Sequence, residues 1–230
     1  MIWYKTIFCI ISAAAALALA GSESSDKPTA GAAWCDDFDK AQRSGIPVGW
    51  KDEGSKLGVP ETVCTIEAGK PTIMQVKCNK STGGVITAPK VDLKKYPVMR
   101  WRWRVMSYPV NADGRNPKTD DQPIAIYVGM NDGLFKKKSI AYRWETLTPQ
   151  GYEGKTSYAG ILTVNYITMR DHNTKPGEWV IEERNVAEDF KRIYGRIPKE
   201  FALSVIGNSQ YTQSNTIAEI DFIEFIPAGK

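Results

Sequence analysis

Across residues 99–105 every second residue is an arginine: Arg100, Arg102 and Arg104 interleave with Met99, Trp101, Trp103 and Val105. In an extended strand this spacing puts three guanidiniums on one face, about 7 Å apart. A guanidinium fork pairs with a carboxylate or sulfate through two parallel hydrogen bonds, so the row suits an anionic glycan. It suits equally a cross-strand ladder of ion pairs with Glu145, Glu182 or Glu183. Like charges side by side repel, so a ligand or protein carboxylates must neutralise them. Residues 139–145 form a second alternating run, with Ile140, Tyr142 and Trp144 opposite Ala141, Arg143 and Glu145. An aromatic face can stack on the apolar face of a pyranose. The candidate ligand-binding set is therefore Arg100, Arg102, Arg104, Tyr142, Arg143 and Trp144, with Trp101 and Trp103 read as core.

Catalysis on a glycan needs two carboxyls across one cleft. Glu182 and Glu183 are adjacent and point to opposite faces of a strand, so Glu182 would need Glu145 or Glu219 as its partner. Tyr142 joins this candidate set as a possible proton donor. The sole histidine, His172, follows Asp171 in a turn-like segment. With a tyrosine such as Tyr166 it could move a proton, or it is an ordinary surface residue. Residues 111–121, NADGRNPKTDD, hold oxygen donors in Asp113, Asp120 and Asp121 that could take calcium, although not in EF-hand spacing. Asp37 or Asp39 with Asp221 is a second possible calcium set. Zinc has no support, for want of a CxxC pair and a second histidine. Nucleotide cofactors have none either, because no Gly-rich loop joins a strand to a helix.

Short β-branched and aromatic runs separated by Gly, Pro, Asn and Asp predict eleven strands, near 36–40, 61–67, 72–79, 84–88, 98–106, 122–130, 138–146, 159–170, 178–186, 200–207 and 217–226. One short helix is expected at 187–194, capped by Asn185 and stopped by Gly195. The fold class is all-β: a single jelly-roll-like β-sandwich over residues 34–230.

The ordered set Tyr96-Pro97, Trp101-Arg102-Trp103-Arg104-Val105, Asp120-Asp121, residues 124–128, Tyr142-Arg143-Trp144, Trp179, Arg184-Asn185-Val186, Asp189-Phe190 and residues 218–223 resembles a family of exported bacterial proteins, domain of unknown function 3047. The resemblance implies one secreted or periplasmic β-rich domain and no assignable activity. Residues 36–39 with 45–50, and the closing run 220–223, look like the opening and last strand of jelly-roll carbohydrate-binding modules. That likeness concerns fold alone.

Residues 1–20 read as a cleavable signal peptide: Lys5, an apolar stretch of about 15 residues, then Ala18-Leu19-Ala20. The stretch is too short to span a bilayer. Residues 21–33 are small and polar and read as a disordered leader. Export to the periplasm or beyond permits disulfides. Of Cys35, Cys64 and Cys78, the last two flank an expected hairpin and are the favoured pair. The formal charge of +4 falls to about +3 without the leader, which is too weak a bias for nucleic acid. Composition excludes a disordered or polytopic membrane chain. Three functions stay open: a carbohydrate-recognition domain, with an anionic glycan as the ligand the arginines suit; a lyase or hydrolase on an acidic glycan; or a structural envelope protein.

Overall fold

The computed structural model describes residues 26–39, 46–52, 63–67, 72–158 and 160–229, the side chains of 63–67 and 158 excepted. The expected signal peptide lies outside the described residues, as does the Cys64 side chain. Thirteen strands and one helix are described: β1 (Trp34–Asp36), β2 (Lys51–Asp52), β3 (Val63–Glu67), β4 (Ile73–Asn79), β5 (Thr82–Thr87), β6 (Val98–Ser107), β7 (Gln122–Asp132), β8 (Lys136–Trp144), β9 (Glu153–Tyr158), β10 (Leu162–Arg170), β11 (Val180–Asn185), α1 (Val186–Tyr194), β12 (Ala202–Asn208) and β13 (Asn215–Ile226). They form two packed sheets, a β-sandwich of jelly-roll type. The first runs β11-β6-β13-β4-β3, with β1 also on β13; the second runs β2-β5-β12-β7-β8-β10-β9.

The helix follows its local signals. Asn185 accepts from the Glu188 N–H at 3.1 Å, and Gly195 closes the C-terminus in the left-handed region. Two strands escaped the sequence pattern. β2 has two residues, and β9 is a polar edge strand whose alternation is blurred by Gly154 and Lys155. The first strand ends at Asp36, earlier than expected, because Phe38 takes a positive φ of 58°.

The period-two reading of the strands holds in the core. Met99, Trp101, Trp103 and Val105 of β6 face Ile140, Tyr142 and Trp144 of β8, and all seven are fully buried. Trp101 meets Tyr142 at 5.6 Å between ring centroids, and Trp103 meets Trp144 at 5.4 Å. These edge and tilted contacts join the two sheets.

The leader expectation needs correction for residues 26–33. The Thr29 N–H donates to Glu224 at 2.7 Å, and Lys27 O accepts from Arg100 at 3.0 Å, so this stretch lies on the first sheet. The register sets Cys64 opposite Val76. Among the described residues no helix is long and apolar enough to cross a membrane.

Close packing is strictest at β5. A Cβ on Gly84 would lie 1.9 Å from Val205 O and 2.8 Å from the Ile206 Cα, both main-chain atoms of β12. Main chain in mid-sheet cannot step aside, so Gly84→Ala is expected to cost about 3 kcal/mol, read as a lower urea midpoint.

Candidate functional site

The expected ligand-binding set does not assemble. On the outer face of the first sheet the arginines of β6 meet the carboxylates of β13. Arg100 pairs with Glu224 at 2.6 Å, Arg102 with Asp221 at 2.9 Å and Arg104 with Glu219 at 2.5 Å. The partners come into line because β13 carries a bulge between Ile220 and Phe222, which keeps Asp221 on the arginine side. Of the glutamates expected from sequence, only Glu183 joins this ladder, 3.4 Å from Arg100. The Trp179 ring lies beneath Arg102 and Arg104, 4.8 and 4.4 Å from their guanidinium carbons. The row is a covered ion-pair ladder, and Arg100 is only 3% exposed. Tyr142 and Trp144 are no stacking platform, because both sit in the core on the far side of β8 from Arg143.

The proposed catalytic carboxyls do not converge either. Glu145 shares the outer face of the second sheet with Arg143, 2.8 Å away. Glu182 lies opposite Trp101 and faces inward, 2.6 Å from Arg170. The second sheet stands between them. Tyr142 donates to Asp189 at 2.9 Å inside the sandwich. His172 is exposed and its Nδ1 lies 2.6 Å from the Thr146 carbonyl. Asp171 accepts main-chain N–H bonds from Gln150 and Asn173, so the pair organises a turn.

The calcium candidates are engaged by cations and amides. Asp113 pairs with Arg115, which holds its carboxyl down at about 2. Asp120 pairs with Arg143 at 2.5 Å, and Asp121 accepts from the N–H groups of Tyr211 and Thr212. Asp221 is taken by Arg102, and Asp37 accepts from the main-chain N–H of Asp39 at 3.3 Å in a local turn. Among the described residues no three metal-ligating side chains come together.

What the fold does build is a groove over the outer face of the second sheet. Side chains opposite one another in register share a face. One row across the sheet reads Ile86, Ser204, Tyr127, Ala141 and Tyr166; the next reads Ala202, Gly129, Ser139 and Val164. Small residues along β12, β7 and β8 leave a trough of about 1500 Å³. Tyr127 stands on its floor, and Tyr211, 45% exposed, stands at its rim. Ser139 is 4% exposed, and its hydroxyl makes no hydrogen bond to any described residue. Lys90, Lys94, Lys137, Lys138 and Lys199 line the groove against two acids, Asp92 and Glu200.

At one end Gln122 connects the groove to a buried polar cluster by accepting from Arg143. Arg143 lies 4.5 Å over the Tyr166 ring, whose hydroxyl donates to Gly114 O. Burial pushes the Glu145 carboxyl up to about 7, against the opposing pull of Arg143. Burial also opposes the charge on Arg143, but Glu145, Tyr127 and Asp120 hold it protonated. Sequence reasoning missed the groove, although a signal was present. Ile124, Ile126 and Val128 alternate with Ala125, Tyr127 and Gly129, which already sets Tyr127 among small residues on the opposite face.

Comparison with curated proteins returns no match. Among solved structures, the family 11 carbohydrate-binding module of the cellulosomal cellulase Lic26A-Cel5E of Clostridium thermocellum is 13% identical, with a TM-score of 0.45 over 84% of this chain and 92% of that one. The CBM22-1 xylan-binding domain of Paenibacillus barcinonensis Xyn10C is 12% identical, with a TM-score of 0.39 over 86% of this chain and 96% of that one. Trichoderma harzianum Endoglucanase 3, from family GH12, is 8% identical, with a TM-score of 0.41 over 88% of this chain and 100% of that one. The family described as protein of unknown function DUF3047 matches residues 48–224, and the chain belongs to it.

Proposed function

We propose that this chain is an exported carbohydrate-recognition domain that holds an anionic polysaccharide in the groove of the second sheet. The observation that carries the reading is the groove itself: a trough floored by Gly129, Ser139, Ala202 and Ser204 and lined by five lysines against two acids. Its volume of about 1500 Å³ exceeds the range of about 300–1,000 Å³ usual for small-molecule pockets, which favours several linked sugar rings. Tyr127 and Tyr211 offer the aromatic faces. The lysine excess favours uronate or sulfate groups over neutral sugars.

Isothermal calorimetry with uronate, sulfated and neutral oligosaccharides tests this. Wild type is expected to bind the acidic ligands, and more weakly as salt rises. Gly129→Trp should abolish binding, because a Cβ there meets Ser139 Cβ at an ordinary 3.7 Å and the indole would fill the trough. Tyr211→Ala should weaken binding roughly ten-fold through lost stacking. Failure of every acidic ligand to bind would leave the structural envelope role. Appearance of shortened oligosaccharides would favour the enzyme. Of the carboxyls expected from sequence, Glu145 is fully buried behind Arg143 and cannot reach a glycosidic oxygen in the groove, so turnover would fall to Asp92 and Glu200 of the lining.

A further inference from the structure

The hairpin joining β7 to β8 ends in Asp132-Gly133-Leu134-Phe135-Lys136-Lys137-Lys138. Leu134 is 93% exposed and Phe135 83%, the two most exposed large hydrophobic side chains among the described residues. Single exposed apolar residues are commonplace, but two adjacent ones at the tip of an ordered hairpin are not. Gly133, at φ 87°, makes the turn that projects them. The tip is fixed from below. Asp132 is held by Lys138 at 2.9 Å and by Arg196 at 2.8 Å, and the Lys137 N–H donates to Ile161 O at 2.8 Å. That last bond brings Ile161, itself 54% exposed, to the same end of the sheet.

Around these apolar side chains the charge has one sign. Asp132 is the sole acid in residues 129–140, against Lys136, Lys137 and Lys138, and its charge is already matched by Lys138 and Arg196. An apolar point with a lysine collar matches the layering of an anionic membrane surface, apolar chains beneath phosphate headgroups. A narrow convex tip covers too little area for a stable protein interface, whereas it can enter a soft lipid layer without a matching pocket.

We propose that this hairpin tip docks the domain on an anionic lipid surface, with Leu134, Phe135 and Ile161 entering at the headgroup boundary and Lys136 and Lys137 meeting lipid phosphates. The base of the hairpin, Met130 and Asn131 with Lys137 and Lys138, also lines the groove. Docking therefore brings one end of the groove close to the membrane. The inference stands apart from the glycan reading, because Leu134, Phe135, Ile161 and Lys136 lie outside the groove and only Lys137 is shared with it.

The test is co-sedimentation with vesicles of phosphatidylcholine alone and of phosphatidylcholine mixed with phosphatidylglycerol. Wild type should pellet with the mixed vesicles, and progressively less as salt rises. The double variant Leu134→Ser/Phe135→Ser should lose at least about ten-fold in affinity through the apolar area withdrawn. It should keep its unfolding midpoint and its glycan binding, since neither side chain packs on the core or lines the groove. Lys136→Gln should cost roughly five-fold at low salt. Wild type that does not pellet with the mixed vesicles, or a double variant that pellets as well as wild type, overturns the proposal.

Discussion

Replacing Arg143 by Met is expected to destabilise the protein by about 3–5 kcal/mol at pH 8, the cost of leaving a buried carboxylate without its partner. Arg143 is 2% exposed and Glu145 is fully buried, so water cannot replace the lost guanidinium. Asp120 and Gln122 would lose the same donor. The penalty should shrink at pH 5, because Glu145 can then take a proton and become neutral. In wild type the same carboxyl has a folded value of about 7, above its ordinary 4.5. The folded state therefore binds more protons than the unfolded state between these values. This contribution is fully present below pH 4.5 and is lost as pH rises through 7. Burial raises Glu182 and Asp221 as well, and both act in the same direction. Asp113 acts oppositely, but only below pH 4, where its carboxyl, held at about 2, loses its advantage. Urea unfolding of wild type, Arg143→Met and Glu145→Gln at pH 5 and pH 8 checks these signs. Glu145→Gln should flatten the slope between pH 4.5 and 7. A penalty for Arg143→Met that is equal at both pH values would show that Glu145 is not the group left unpaired.

Trp103→Ala is expected to cost about 3–5 kcal/mol with no direct effect on any groove ligand. Its ring is fully buried and touches Trp101 and Trp144, each at 5.4 Å between centroids. The variant loses the transfer energy of the indole and leaves a cavity walled by other large rings, which cannot collapse to fill it. Thermal unfolding should show the loss. Titration below the lowered midpoint should show wild-type glycan affinity, since the groove lies on the other face of the second sheet. A variant of normal stability that binds no glycan would overturn the assignment of Trp103 to packing alone.

The alternation within each strand was legible because it is local: a period of two assigns each residue a side whatever its neighbours are. So were the short helix, from Asn185 and Gly195, and the all-β class, from the density of turns. The fate of each face was not legible, because it depends on residues distant along the chain. Arg100, Arg102 and Arg104 look available in their own strand, yet Glu224, Asp221 and Glu219, 115–124 residues away, neutralise them. A bulge in β13 decides that Asp221 is among them. Likewise Tyr142 shares a sequence neighbourhood with Arg143, but the sandwich separates them, one ring in the core and one guanidinium beneath the groove. The groove has no local signature at all. It is an absence of bulk shared by β12, β7 and β8, and only strand pairing brings Ser204, Tyr127 and Ala141 into one row. Side-chain direction is a property of the strand, whereas burial, charge pairing and concavity are properties of what packs against it, and those the tertiary structure alone decided.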